Sequence, residues 1–426
     1  MSQARRADIR LRHWVGGGLS RNFWKLWAAT AAGNLADGIG GIVLPLVAVR
    51  LTSSPAEIAG VAVAARIPAL LFGLPAGGLA DRLDRRWTML AVLLLRFVVL
   101  GSLAVLALLG ALSLPALYVS AFVLGTGEAF FDTNAQSIVP QLVPRERLVS
   151  ANGRLFAAEM MMETFAGPIL GGFLIVVSVP LAIGGSVAGY GLGVIGLLLL
   201  SGTFRPERTT PRRALHVEIG EGLGYLIRHR LLLTLTSMVA IGRLGSTAVF
   251  AVFALYAVAP GPMGLSEPQY GILFVTLGLG SLVGSLVTGH AVAIIGRARV
   301  LGLAQLLFGL AIGVPAITTN ALVVAAAFLV CGASIMLWNI TNVSLRQSIV
   351  PDALLGRVHA SHRFIANVAG LVGAIVGGAV GEIVGLPAAF AIGSGIMVAS
   401  VAGLLIVTEE RIAAAERETG GQTRAP

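Results

Sequence analysis

The feature that most constrains this chain is a series of twelve apolar stretches, each close to the ~20 residues that an α-helix needs to cross a bilayer. A soluble fold is excluded, since 56% of the residues are hydrophobic and such a chain would lack a polar surface. In lipid the backbone must satisfy its own hydrogen bonds, so the sequence predicts an all-α integral membrane protein. The predicted spans are residues 23–50, 56–80, 87–110, 114–139, 151–178, 180–202, 231–259, 270–295, 298–319, 320–348, 357–384 and 387–407.

The basic residues indicate the orientation of these spans. All but four of the 30 Lys and Arg residues lie in or next to the N-terminal arm, alternate loops or the C-terminal tail. This count includes Arg346 and Arg363 with the loop between the tenth and eleventh spans. Cytoplasmic loops carry the Lys and Arg excess. We therefore expect both termini to be cytoplasmic. The almost complete use of arginine in place of lysine favours a bacterial source and hence the bacterial cytoplasmic (inner) membrane.

The net charge of +10 is explained by this topology. Charged residues make up only 12% of the chain, and they form no basic stripe interleaved with aromatic residues. Such a stripe is what a nucleic-acid-binding surface requires. No nucleic-acid partner is therefore expected.

Internal repetition divides the chain into two halves. The pentapeptide Gln-Ser-Ile-Val-Pro occurs at 136–140 and again at 347–351, each time at the end of a fourth span of six. Duplicated bundles are common in transporters. The sequence predicts a basic N-terminal arm (1–22), a six-helix bundle (23–202), a linker with an amphipathic segment (203–230), a second six-helix bundle (231–407) and a C-terminal tail (408–426).

Two motifs carry a resemblance that covers essentially the whole chain. Residues 77–86 read GGLADRLDRR, which resembles the signature of the major facilitator superfamily between helices two and three, with Asp84 where a glycine is usual. Residues 167–172 read GPILGG and are similar to the helix-five motif of proton-coupled exporters, with Glu163 in place of its first glycine. The glycines and proline of this motif are Gly167, Pro168, Gly171 and Gly172.

The first motif, together with QSIVP at 136–140 and LVSANGR at 148–154, most resembles the third drug:proton antiporter family, which includes macrolide-efflux and enterobactin-exporter proteins. Helix four lacks the arginine common in other drug:proton antiporters and has Gly127-Glu128 instead. The resemblance implies a major facilitator fold, alternating access and efflux. It also implies a cytoplasmic gate in which Asp81 contacts the start of helix eleven and Arg85 pairs with Asp132; the other gate residues are Arg82 and Arg86.

Enzymatic chemistry is not expected. Lys25 is the only lysine and follows Trp24, so the chain contains neither a Walker A motif nor a Schiff-base lysine. His359 and His362 lie three residues apart without a third nearby ligand, so no metal site is predicted. We expect no cofactor.

Ionisable residues inside membrane spans are costly and usually functional. The strongest candidates for proton coupling are Asp37 and Glu128, which lie near mid-membrane by count. Glu159 and Glu163, spaced one helical turn apart, are secondary candidates together with Arg66 and Arg96. A structural ion pair between an acid and an arginine of neighbouring helices is an equally good interpretation of Glu159, Glu163 and Arg96. The remaining predicted cavity residues are Asn34, Arg243, Trp338, Asn339 and Asn342.

These observations predict an alternating-access secondary transporter that exchanges substrate for protons. The leading hypothesis is export of amphipathic drugs or secondary metabolites by a monomer. A siderophore exporter and a facilitator or proton-coupled importer of a small metabolite are the alternatives. The intramembrane acids favour cationic cargo, whereas Arg66 and Arg243 suit an anionic catecholate.

Overall fold

The computed structural model describes residues 19–80, 84–144, 147–202, 204 and 215–422. The regular structure of these residues is helical, apart from one isolated bridge between Val258 and Leu265. Helices α1–α12 are, in order, Arg21–Leu51, Pro55–Ala80, Arg85–Leu108, Leu114–Leu142, residues 148–177, Val179–Leu199, Arg230–Phe250, Glu267–Ile295, Arg297–Gly313, Ala321–Ile349, Asp352–Ile383 and Leu386–Leu405.

Each predicted span coincides with one of these helices to within a few residues at most ends, so the prediction of a twelve-helix membrane protein is confirmed. Within the described residues, eleven helices are long and apolar enough to cross a membrane. The remaining helix, α4, has 29 residues and occupies the fourth predicted span. Helix α7 is followed by a short helix, Phe253–Ala257, before the chain turns into α8.

Polar side chains cap the ends of several helices. Ser20 accepts a hydrogen bond from the Phe23 backbone N–H at the start of α1. Asn320 accepts from two backbone N–H groups at the start of α10, and Ser266 forms a capping box with Gln269 at the start of α8. These bonds satisfy N–H groups that the first helical turn leaves without partners.

Glycine pairs give α5 and α11 equivalent packing. In α5, the pair Gly171-Gly172 faces two helices: a Cβ on Gly171 would lie 3.1 Å from the Ile39 carbonyl oxygen of α1, and one on Gly172 would lie 2.7 Å from the Glu267 carbonyl oxygen of α8. In α11, the pair Gly377-Gly378 faces α7 and α2 in the same way. Small residues allow such close backbone approach in membrane helices. The repeated sequence thus corresponds to repeated contacts, each joining a helix of one half to the other half.

The two halves are joined by polar contacts at the end of the molecule remote from both termini, which we call the closed end. Arg50 at the end of α1 forms an ion pair with Glu267 of α8 at 2.7 Å. Glu382 at the end of α11 accepts hydrogen bonds from the Ser54 hydroxyl at 2.6 Å and the Ala56 N–H at 3.3 Å, at the start of α2.

Helix α5 shows that the halves separate toward the other end. Its final segment, Gly167–Val177, packs on α1 and α8, whereas its first segment, Leu148–Glu159, packs on α1 and α4 within its own half. The space between the halves therefore opens toward the end that carries both termini.

Two further helices lie at the open end, outside the twelve spans. The linker helix, Leu215–Arg228, packs on α11 and contributes Glu221 to an ion pair with Arg357. The C-terminal helix, Glu409–Gln422, contributes Glu416 to an ion pair with Arg297 at the start of α9. Burial raises the pKa of Glu416, but hydrogen bonds from Ser348 and Arg297 outweigh this effect and hold that pKa below its usual range.

Candidate substrate cavity and coupling site

A buried ion pair lies at the centre of the first half. Arg96 of α3 donates from Nη1 to both carboxylate oxygens of Asp37 on α1, at 3.2 and 3.1 Å. The Tyr190 hydroxyl of α6 donates to Asp37 Oδ1 at 2.7 Å, and the tyrosine ring centroid lies 5.4 Å from the guanidinium carbon of Arg96. Arg96 is 1% exposed, whereas the Asp37 side chain is 30% exposed. Asp37 therefore connects a buried cation to the space between the halves.

Helix α4 completes the surroundings of this arginine. Arg96 Nη2 donates to the Leu124 carbonyl oxygen at 2.7 Å. Gly127 lies directly against the Arg96 side chain, and a Cβ at this position would lie only 3.0 Å from Arg96 Cδ. Glycine at 127 is therefore required for the guanidinium to fit between α3 and α4. This contact also fixes the position of the next residue along α4, Glu128.

Glu128 is enclosed between the two halves yet accessible to water. It interacts electrostatically with three residues of its own bundle, Asp37, Arg66 and Arg96. It also interacts with Arg243 and Arg363 of the second bundle. Arg66 of α2 and Arg243 of α7 meet at Gly370 of α11, where a Cβ would lie 3.6 Å from Arg66 Nε and 3.4 Å from Arg243 Cγ. Predicted residues of five helices, α1–α4 and α7, thus lie close together around Glu128. Asn34 is half-buried, one turn from Asp37.

The acids of α5 lie beside a π-helical segment, Met160–Ala166. Glu159 and Glu163 are both exposed, and Glu159 interacts electrostatically with Glu128. The π-helical segment changes the local spacing, because its hydrogen bonds join residues five apart. Residues four apart are still close to one turn from each other, so a common face for Glu159 and Glu163 stays a prediction. The same segment packs tightly on α1, since a Cβ at Gly38 would lie 2.8 Å from Glu163 Cα.

The predicted polar patch of α10 does not form one surface. Trp338 packs in the hydrophobic core at the open end of the second half, and Asn342 is 2% exposed, whereas the neighbouring Asn339 is exposed. Trp338 and Asn342 lie four residues apart on the buried face of α10, whereas Asn339 lies at the edge of that face. Of the three, only Asn339 is exposed.

The predicted gate is described only in part. Asp81 and Arg82 lie outside the described residues, as does the side chain of Asp132. Arg85 donates to the Ser137 carbonyl oxygen of α4 at 2.8 Å, and Arg86 donates to the last turn of α6. Both arginines therefore hold helices of the first half together. Asp84, which replaces the usual glycine, caps α3 by accepting from the Arg86 N–H at 3.0 Å.

The helix-five motif positions three helices. A Cβ on Gly167 would lie 2.6 Å from the Gly38 backbone of α1, and the Pro168 carbonyl lies against Gly271 of α8. The motif therefore sets the distance between α1, α5 and α8 beside the coupling site.

Sequence reasoning misplaced or missed several residues in and around the space between the halves. Arg346 and Arg363 fall inside the predicted tenth and eleventh spans but were counted with the cytoplasmic loop between them. They lie within α10 and α11, and only residues 350–351 separate these helices. Tyr190 was not predicted, since a tyrosine in an apolar span gives no signal until its hydroxyl partner is known. An ion pair was one of two interpretations of Arg96, and this arginine does pair with an acid, Asp37.

This fold and these buried charges define a class of protein, a secondary transporter of the major facilitator superfamily rather than an enzyme. Solved structures with this architecture include a point mutant of the nucleoside transporter NupG (TM-score 0.75, 14% identity, 91% of this chain and 99% of that chain covered). A bacterial homologue of the iron transporter ferroportin is also similar (TM-score 0.70, 16% identity, 93% and 98% covered).

Within this superfamily, the chain belongs to the family described as transmembrane secretion effector, which matches residues 19–423. It is similar to the enterobactin exporter EntS of Salmonella paratyphi A, with 28% identity over 385 residues, covering 88% of this chain and 89% of that protein. EntS of Escherichia coli is 28% identical over 388 residues, with the same coverage.

Proposed function

We propose that the protein exports a small anionic metabolite of the catecholate siderophore class in exchange for protons. The similarity to two enterobactin exporters supports a siderophore as substrate. It ranks this substrate above the amphipathic drugs that sequence reasoning placed first. The direction of transport follows from the same relatives.

The distribution of charge around the cavity is the observation that carries the choice of an anion. The acids that interact there, Asp37, Glu128 and Glu159, all lie on helices of the first half. Between residues 231 and 381 the only acids are Glu267, at the closed end, and Asp352. The second half therefore presents a basic wall to the cavity, suited to charge-assisted hydrogen bonds with an oxyanion.

The acidic half is proposed to carry the proton. Asp37 is held by Arg96 and Tyr190, and its side chain is partly exposed, so water reaches it without opening of the protein core. Glu128 lies within electrostatic range of Asp37, so the two carboxylates are close enough to influence each other during the transport cycle. A bound anion and the Glu128 carboxylate compete for the same arginines. Binding of the anion therefore favours the protonated form of Glu128.

The arrangement of contacts supports an inward-open state. If both termini are cytoplasmic, as the arginine distribution predicts, the closed end is periplasmic and the cavity opens to the cytoplasm. A cytoplasmic substrate then enters the cavity before the halves rock about it.

Secretion in a host that lacks its own exporter tests this function. In an Escherichia coli strain without EntS, expression of the chain is expected to restore catecholate secretion under iron limitation. Arg243→Gln should lower secretion at equal membrane abundance, and Arg299→Gln, which changes an exposed arginine of α9, serves as the matched control. Full-level expression without any restored secretion would contradict the proposal.

One observation favours drug efflux as a second candidate. Glu159 and Glu163 are exposed within α5, and carboxylates of this kind suit an amphipathic cation. Lower ethidium accumulation in cells that express the chain, with loss of the effect in Glu159→Gln, would support this candidate.

A further inference from the structure

A buried arginine near the open end has no role in the coupling site. Arg346 of α10 is 7% exposed, and its Nε and Nη1 atoms have no hydrogen-bond partner among the described residues. Two buried guanidinium nitrogens without acceptors are costly, because they lose water and gain no hydrogen bond in exchange. Its presence indicates a ligand that supplies the missing acceptors.

The surroundings of Arg346 are basic. His359 and Arg363 are both exposed and lie four residues apart, on one face of α11. Arg346 interacts electrostatically with His359 and His362. His362 is itself buried, and its Nδ1 lies 3.1 Å from the Thr236 hydroxyl of α7. The ring of His362 is therefore held in place beside the arginine.

The nearby carboxylates have other partners. Glu221 of the linker helix is paired with Arg357, and Glu416 of the C-terminal helix is paired with Arg297. Among the side chains that the structure describes in α7, α10 and α11, the only carboxylate is that of Glu382, which lies at the closed end. None of those described side chains therefore compensates the positive charge at this position.

The same face of α11 leads to the centre of the cavity. Arg363 interacts electrostatically with Glu128, and Gly370, seven residues further along, is where Arg66 and Arg243 meet. The basic groups thus extend from the open end of α11 to the central arginine pair.

We propose that Arg346, His359 and Arg363 form an access site for an aromatic oxyanion, such as a catecholate or aryl carboxylate, before it reaches Arg66 and Arg243. The ligand's oxygens accept hydrogen bonds from Arg346, and Arg363 binds the same charge from the cavity side. This access site extends the proposed function. The direction in which the ligand moves through the site rests on that proposed function. Anion binding at the site does not depend on that direction.

Equilibrium binding to the full chain in lipid nanodiscs tests the site. The probe is 2,3-dihydroxybenzoate, and its methyl ester provides the uncharged comparison. A hydrogen bond to a charged group contributes about 1.5–3 kcal/mol, so Arg346→Gln and Arg363→Gln are each expected to weaken binding of the acid about 10-fold to 100-fold. Binding of the ester should stay unchanged in both variants, and Arg299→Gln should bind the acid as the wild type does.

The possible results separate this site from the proposed function. The inference is overturned if the wild type binds acid and ester equally, or if Arg299→Gln weakens binding as much as the two test variants. If Arg346→Gln does not fold, Arg363→Gln decides the question alone. If the variants lose anion binding but the wild type does not restore secretion, the anion site is supported and siderophore export is refuted.

Discussion

The ion pair between Asp37 and Arg96 gives the sharpest prediction of stability. Asp37→Asn keeps the size of the side chain and its oxygen, so the Tyr190 hydroxyl retains an acceptor. It removes the negative charge that accepts hydrogen bonds from Arg96 at 3.2 and 3.1 Å. The guanidinium, 1% exposed, then keeps the Leu124 carbonyl and the tyrosine ring as neighbours.

The expected loss of stability follows from this burial. Removing one partner of a buried ion pair typically costs about 3–5 kcal/mol. The asparagine oxygen still accepts a neutral hydrogen bond, which returns about 0.5–1.5 kcal/mol. Asp37→Asn should therefore lower the free energy of unfolding by about 2–4 kcal/mol. Adding Arg96→Met removes the buried positive charge as well, and the double variant should recover to within about 1 kcal/mol of the wild type.

Reversible unfolding in mixed micelles, followed by circular dichroism, measures these differences as a double-mutant cycle. A loss below about 0.5 kcal/mol in Asp37→Asn would refute the buried pair, because it is less than one neutral hydrogen bond. A double variant as unstable as the single one would refute the assignment of the cost to Arg96. Transport by the stable double variant then shows whether Asp37 also couples protons.

Three further outcomes follow from the described contacts. Gly127→Ala should displace the buried arginine and abolish transport, whereas Gly101→Ala, which meets no atom within 4 Å, should be neutral in the same assay. Arg50→Gln removes a half-exposed ion pair worth up to about 1 kcal/mol, so cysteine accessibility should show the closed end opening up to about fivefold more often. The pKa of Glu416 is lowered on folding, so its contribution to docking of the C-terminal helix is present at neutral pH and is lost as the pH falls through that pKa. Hydrogen exchange in this helix should rise on acidification and, at neutral pH, in Glu416→Gln.

The twelve helices and the repeat could be predicted because lipid leaves the chain few options. An apolar stretch of spanning length must become a helix. The glycine pairs of α5 and α11 were visible as a repeat, and the structure adds the reason, which is close packing against both halves. The π-helical segment was not predictable, since Met160–Ala166 has a sequence that an α-helix accepts equally well.

The partners of the charged residues depend on which helix faces meet, and a single sequence does not show this. Asp37, Glu128, Arg66 and Arg243 were recognised because charges are rare in membrane spans. The pairing of Asp37 with Arg96 required α1, α3 and α6 to be placed in space. Arg363 falls inside the eleventh predicted span but was counted with the neighbouring loop. Charge counting considers the distance of a residue from the span end and ignores the helix face on which it lies.

The central claim, export of a catecholate anion coupled to protons, is tested most directly by transport with the purified protein. Proteoliposomes loaded at acidic pH and diluted into alkaline buffer should accumulate enterobactin above its external concentration, and dissipation of the pH gradient should abolish the accumulation. Asp37→Asn and Glu128→Gln should lose this uphill transport while at least one of them still exchanges substrate downhill. No enterobactin uptake by active wild-type protein that transports ethidium would contradict the claim, as would uphill transport undiminished in both variants.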